Sequence, residues 1–330
     1  MYRWRGVFSI FSGTTMNKTS KILVLGAGGM VGSALVRELT SLGYSNLLRP
    51  PRSELDLLNQ AQTLEYFYHH KPEFVFDAAA KVGGIIANNT YRADFIFENL
   101  QVQNHLFEAC FKSNVEKMLF LGSSCIYPRD VAQPIKEEDL LTGPLEPTNE
   151  PYAIAKIAGI KLAENFRRQY GKCFFSVMPT NLYGPNDTYH LENSHVIPGL
   201  IARMYSAKVN GNKSFQVWGS GKPKREFLYV DDLAKACVML MGLPNSQTPT
   251  LINVGSGADL SIAELAEMIR RVVGYEGSVE FDLQKPDGMP RKVMDIGKIA
   301  KLGWQPHTSL EAGLHLAFSD FIENHSRGKF

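Results

Sequence analysis

Lys21-Ile-Leu-Val-Leu25 is an unbroken apolar run that stops at glycine. Gly26-Ala27-Gly28-Gly29-Met30-Val31-Gly32 follows at once, and the helical spacing Val31, Leu35, Leu39, Leu42 then begins. A short run without polar alternation is the pattern of a strand buried on both faces, as in a parallel sheet covered by helices. Phe74-Val-Phe-Asp77, Lys117-Met-Leu-Phe-Leu121 and Phe174-Phe-Ser-Val-Met178 repeat the strand, with helical stretches at about 91–113 and 151–170 between them. Such alternation predicts an α/β fold built on a doubly wound parallel sheet.

The glycine spacing adds chemistry to that prediction. Glycines 26, 29 and 32 let the backbone approach a pyrophosphate, whose charge the helix N-terminus holds, so residues 26–32 are expected to bind a dinucleotide on a Rossmann-type sheet. A second strand near 46–48 ends in Arg49-Pro-Pro-Arg52-Ser53, without the acid that would accept from a ribose 2′-hydroxyl. A guanidinium at Arg52 would pair with a 2′-phosphate instead, which favours NADP(H). Asp56 is placed either to accept from the adenine amino group or to sit as a solvated loop aspartate.

Composition limits the partners. A net charge of +2 without long like-charge blocks gives no reason to expect nucleic acid. No stretch approaches the roughly 20 apolar residues that cross a bilayer, so no membrane is expected either. Cysteines 110, 125, 173 and 237 form no Cys-x-x-Cys pair and read as thiols, consistent with the cytoplasm. Residues 1–20 are basic, and their apolar run from Val7 to Phe11 falls short of a signal-peptide core; they read as a disordered extension. Residues 21–180 read as the dinucleotide-binding domain. Beyond Pro179 short strands (215–218, 251–254, 279–281) mix with helices (194–208, 231–242, 261–273, 309–324), predicting a smaller α/β substrate lobe over 181–330, with 228–256 returning to the large sheet.

The reactive groups lie in two segments, Gly122-Ser123-Ser124-Cys125 and Pro151-Tyr152-Ala-Ile-Ala-Lys156. Tyr152 and Lys156 are four apart and share a helix face. A phenol ionises near pH 10, and an adjacent ammonium favours its phenolate, giving a proton shuttle for a carbonyl or an alcohol. Ser123, at a strand end where such sheets place ligands, can hydrogen-bond the same oxygen. Arg203, Arg225 and the Arg291-Lys292 pair are candidate partners for a diphosphate. His190 and His195, with Glu192 between them, raise metal ligation; no further cluster joins them, and no metal is expected.

These segments, with Ala78-Ala-Ala-Lys-Val-Gly-Gly-Ile85, Glu146-Pro-Thr-Asn-Glu-Pro151, Pro179-Thr180-Asn181-Leu182-Tyr-Gly-Pro185, Asn193-Ser-His-Val-Ile-Pro198 and Lys224-Arg-Glu-Phe-Leu228, resemble the extended short-chain dehydrogenase/reductases. Within that family they are most similar to the NADPH-dependent epimerase/reductases of GDP-4-keto-6-deoxy-mannose. The resemblance implies that Ser123, Tyr152 and Lys156 carry reduction, and that Cys125 and His195 exchange protons during epimerisation. It implies cofactor contacts at Leu121, Gly122, Ser123, Ser124, Lys156, Pro179, Thr180, Asn181, Leu182 and His195. The nucleotide-sugar site would include Asn181, Arg203, Trp218, Arg225 and Asp287, and the assembly would be a homodimer built on the 91–113 and 151–170 helices. One departure is Gly28, where some members carry arginine beside the cofactor phosphates; the 2′-phosphate expectation then rests on Arg52. A 4-keto group acidifies the protons at C3 and C5, so a positioned base and acid can invert both carbons. Without that context Cys125 reads as a small core residue and His195 as a surface or cap residue. A related dehydratase would carry an Asp-Glu pair where this chain has Ser124-Cys125, and a catalytically silent dinucleotide-binding protein would be expected to lack Tyr152 or Lys156.

Overall fold

The computed structural model describes residues 15–190, 194–285, 287 and 289–326, without the side chains of Ile85 and Ile86. Most of the expected N-terminal extension, together with Glu192 and Asn193, lies outside these residues. Packing against the core already includes residues ahead of 21: Met16 is buried there, and Ser20 donates its amide to Asn17.

The first half alternates β1 (Ile22–Leu25), α1 (Met30–Ser41), β2 (Leu47–Leu48), α2 (Gln60–His70), β3 (Phe74–Asp77), α3 (Ile85–Thr90), α4 (Arg92–Lys112), β4 (Lys117–Leu121), α5 (Glu150–Tyr170) and β5 (Cys173–Pro179). The second half contains β6 (Asn181–Tyr183), α6 (Val196–Val209), β7 (Ser214–Trp218), β8 (Lys224–Tyr229), α7 (Val230–Gly242), β9 (Leu251–Val254), β10 (Asp259–Ser261), α8 (Ile262–Val273), β11 (Ser278–Asp282), β12 (Arg291–Lys292), α9 (Gly297–Lys301) and α10 (Leu310–Ser326).

Six strands form one sheet in the order β2-β1-β3-β4-β5-β9, every pair parallel. Side-chain alternation divides their apolar residues between two cores. Ile22, Val24, Phe76, Leu119 and Val177 pack with α1 and α7, whereas Leu23, Val75, Phe120, Phe174 and Met178 pack with α2, α4 and α5. Covering both faces is what lets the strands be apolar throughout. The order reverses at β1, which has β2 on one side and β3 on the other, and the crevice beyond the strand ends there is where such sheets take ligands.

Of the segment 228–256 expected to return, α7 and β9 pack on or join the large sheet, whereas β8, whose last two residues open that segment, does not. It pairs with β6, β10 and β12, while β7 and β11 form a separate parallel pair. A third core of Ile201, Met204, Phe215, Phe227, Leu265, Ile269 and Leu314 binds these strands to α6, α8 and α10. No helix among the described residues is long and apolar enough to cross a membrane.

Candidate active site

The turn after β1 is shaped by what cannot fit there. Gly26 has φ of +70°, and a Cβ on it would lie 2.6 Å from the Ala78 carbonyl oxygen. A Cβ on Gly32 would lie 2.0 Å from the Gly26 oxygen, so α1 and β1 approach through glycine alone. Gly29 donates its amide to Gly26 at 2.9 Å and begins α1 without a side-chain cap. The first-turn amides of Met30, Val31 and Gly32 therefore have no intrahelical acceptor, and the space off Gly28 is open beyond 4 Å. Uncapped amides with open space beside them fit a dinucleotide diphosphate. Ala27 completes the turn.

Arg52 lies in the loop after β2 with its side chain 74% exposed and Nε 3.6 Å from the Asp56 carboxylate. Asp56 also accepts from the Leu58 amide at 3.1 Å. These two partners bear on the adenine expectation: Asp56 holds its own loop and draws Arg52 toward itself.

β4 delivers the reactive end of the sheet. Past Leu121 and Gly122 the chain enters a single 3-10 turn, Ser124–Ile126, with Ser123 extended at its start and its hydroxyl 3.4 Å from the Cys125 amide. A Cβ on Gly122 would collide with Met178 of β5, so this strand end is packed tightly from beneath. Opposite it, α5 starts with Pro151 in its first turn and ends on the left-handed Gly171. That places Tyr152 and Lys156 over the end of β4. Phe95 of α4 meets the Tyr152 ring edge-on at 6.2 Å.

The electrostatics differ from the expected phenolate. Lys156 Nζ donates to the Leu121 carbonyl at 2.9 Å and lies 5.8 Å from the centre of the Tyr152 ring. Burial pushes the Tyr152 phenol well above its ordinary value, the Cys125 thiol adds to that rise, and the Ser123 hydroxyl only partly opposes it. The phenol is therefore held as a neutral proton donor. Burial also raises the Cys125 thiol, against the lowering influence of Lys292, Ser123 and Lys156. His195 stands at the N-terminus of α6 without making a capping bond, and desolvation lowers its pKa. At neutral pH the Cys125 thiol is thus protonated and the His195 imidazole neutral.

The expected Arg291-Lys292 pair is divided by the strand that carries it. Adjacent residues of β12 point to opposite faces: Arg291 forms an ion pair with Asp259, whereas Lys292 is the leading charge that lowers the Cys125 thiol. A basic dipeptide gave no sign of that division.

Asn181 donates to the Glu226 carbonyl at 2.8 Å, next to Thr180, which donates to the same oxygen at 3.3 Å; Pro179 and Leu182 flank them in β5 and β6. Ser124 is buried in its turn. At the end of β7 Trp218 is 44% exposed, with the Arg203 guanidinium 4.8 Å and Lys285 Nζ 5.8 Å from its ring. Arg225 donates to the carbonyls of Lys224 and Met289 at 2.8 and 2.6 Å. Asp287 accepts from the amide and hydroxyl of Ser220, which hold its carboxylate below the usual range. A flat indole beside two cations is suited to a nucleoside diphosphate.

A glycine turn at the sheet's reversal point and a Ser-Tyr-Lys group at the end of β4, two strands over, define a dinucleotide-dependent enzyme of the short-chain dehydrogenase/reductase class. More narrowly, the chain belongs to the NAD dependent epimerase/dehydratase family, whose model matches residues 22–255. It is 53% identical to GDP-L-fucose synthase 1 of Arabidopsis thaliana over 312 residues, 93% of this chain and 95% of that protein. It is 50% identical to GDP-L-fucose synthase of Escherichia coli over 314 residues, 93% and 98% of the two chains. The structure of a GDP-L-fucose synthetase from Naegleria fowleri bound to NADP superposes with a TM-score of 0.87 at 30% identity, covering 95% of this chain and 96% of that one.

Proposed function

We propose that this chain epimerises GDP-4-keto-6-deoxy-D-mannose at C3 and C5 and then reduces C4 with NADPH, giving GDP-L-fucose. The observation that carries the reading is the gathering of Ser123, Cys125, Tyr152 and Lys156 at one strand end and the helix turn above it, in a chain half identical to two GDP-L-fucose synthases.

Bound NADPH supplies the hydride for C4. The amides of residues 30–32 would hold its diphosphate and Arg52 its 2′-phosphate, with Leu121–Ser124, Lys156, Pro179–Leu182 and His195 around the nicotinamide half. In reduction, Tyr152 gives its proton to the C4 oxygen while Ser123 hydrogen-bonds the same atom, and Lys156 stabilises the phenolate left behind. In epimerisation, the 4-keto group makes C3 and C5 acidic, and Cys125 and His195 remove and return those protons from opposite sides, with Lys292 as the nearby positive charge. Trp218, Arg203, Arg225 and Asp287, with Asn181, receive the GDP portion.

The four cysteines are free thiols, in keeping with a reducing cytoplasm. Exposed Phe97 on α4 and Ile154 on α5 support a homodimer through those helices. Purified protein given the 4-keto sugar nucleotide and NADPH should consume the cofactor and yield a product whose NMR couplings are those of GDP-L-fucose. Absence of NADPH oxidation, or an unepimerised 6-deoxy product, would refute the reading.

A further inference from the structure

Asp77 ends β3 at the middle of the large sheet, in register with Leu25 of β1 and Phe120 of β4. Strand alternation turns it to the same face as Val75 and Phe120, the face covered by α4 and α5. It is 2% exposed. One carboxylate oxygen accepts from the Ala79 amide at 3.2 Å, while Oδ2 is buried without a hydrogen-bond partner. A half-satisfied buried carboxylate is costly unless a nearby charge compensates it. Lys156 is in the complementary position. It is 4% exposed, and the hydrogen bond from its Nζ goes to a neutral carbonyl, that of Leu121, one residue beyond the residue facing Asp77.

We propose that Asp77 is the counter-charge that keeps the Lys156 ammonium protonated inside the buried site, and thereby sets the upper pH limit of carbonyl reduction. This makes Asp77 a positioning residue, and it rests on the reading of Tyr152 and Lys156 as the reducing pair. Burial pushes Asp77 up to about 6 and Lys156 down, and each group opposes the shift of the other. Several further groups face this pair. The Cys125 thiol, on the turn after β4, raises Lys156. The buried Cys110 thiol of α4 is raised by Asp77 and lowered by Lys172, which precedes β5. On α5, Asp77 raises the Tyr152 phenol. The other polar groups on this face of α4 are the neutral amides of Asn99 and Gln103, engaged with the carbonyls of Lys81 and Phe95 and of Ala155 respectively. Lys156 is the cation in this group that acts on Asp77.

The sign follows directly. Removing the carboxylate withdraws an influence that raises both Lys156 and Tyr152, so both lose their protons at lower pH and the alkaline limb of reduction moves down. Below about 6, where Asp77 is itself protonated, wild type and variant should converge. Opposite charges in such proximity shift a pKa by roughly 1–3 units, and a displacement of about one unit is expected.

Asp77→Asn preserves size and the acceptor for Ala79, whereas Asp77→Leu preserves neither. The pH–rate profile of NADPH oxidation with GDP-4-keto-6-deoxy-mannose should move down by about one unit in both variants, leaving rates about tenfold below wild type on the alkaline side. An Asn variant that superimposes on wild type would overturn the proposal, because a turn-forming role needs only the amide oxygen. A second arm needs no catalysis. In protein carrying 13C-labelled aspartate carboxyls, the Asp77 signal, assigned by its loss in Asp77→Asn, should titrate about one unit higher in Lys156→Met than in wild type. An unchanged Asp77 titration would overturn the coupling whatever the reaction. Absence of reduction in wild type, with that coupling intact, would instead condemn the functional reading.

Discussion

Replacing Arg52 tests the cofactor reading quantitatively. A hydrogen-bonded contact to a charged group contributes about 1.5–3 kcal/mol, but Arg52 is not free to offer all of it. Its side chain is 74% exposed and its Nε lies 3.6 Å from Asp56. Leaving an exposed partner of that kind costs about 0.2–1 kcal/mol. The open space at Gly28 supplies no second guanidinium. The net worth of Arg52 to a 2′-phosphate is then about 0.5–2.8 kcal/mol, so Arg52→Ala should reduce the preference for NADPH over NADH by roughly two- to a hundredfold, read from the two kcat/KM values. Asp56→Asn should act in the opposite direction, by about the few-fold that the released pair allows. If Arg52→Ala left the preference unchanged, or Asp56→Asn weakened it, the 2′-phosphate would have to be held elsewhere.

Three further perturbations test the site and the fold. Tyr152→Phe keeps the ring against Phe95 but removes the proton donor, so single-turnover hydride transfer should fall by about 10²–10⁴-fold, while solvent deuterium still enters C3 and C5. Cys125→Ser substitutes an alcohol for the thiol and should abolish that exchange while hydride transfer continues, giving an unepimerised 6-deoxy sugar; normal exchange would leave Cys125 a packed thiol. Asp187, whose Oδ2 is buried without a partner, has its carboxyl raised by burial to about 7. A folded pKa above the unfolded one means stability is lost as pH rises from about 4 to 7. Asp187→Asn should therefore melt several degrees above wild type at pH 8 and no higher at pH 4, and a constant difference at both would exclude ionisation as the cause.

The large sheet is legible in the sequence because both its faces are covered: β1, β3, β4 and β5 are each short apolar runs, and Pro151 and Gly171 bracket α5. α2 leaves no comparable mark, since its buried residues are only Thr63, Tyr66 and Phe67 on an otherwise polar helix. The small sheet is obscure for another reason. β8 opens with Lys224 and Arg225 and takes its neighbours from distant parts of the chain, and pairing of that kind has no local periodicity. Tyr152 and Lys156 are visible as a pair because four residues make one helical step. Asp77 reads as nothing more than a strand terminus, because spacing does not report that one of its oxygens lacks a donor. The neutral phenol is equally hidden, since it follows from burial and from Lys156 turning to Leu121.

The path of the chain between its two lobes has a practical consequence for anyone dissecting it. β9, one of the two edge strands of the large sheet, is spelled after β8 of the small one, and the chain leaves again for β10 and β12. No single cleavage can release either lobe whole: truncation after β5 strips the sheet of an edge strand and of α7, which packs on α1. Separately expressed halves should need each other in order to fold, and a split version of this protein would work as a complementation reporter, with no autonomous cofactor-binding module on either side.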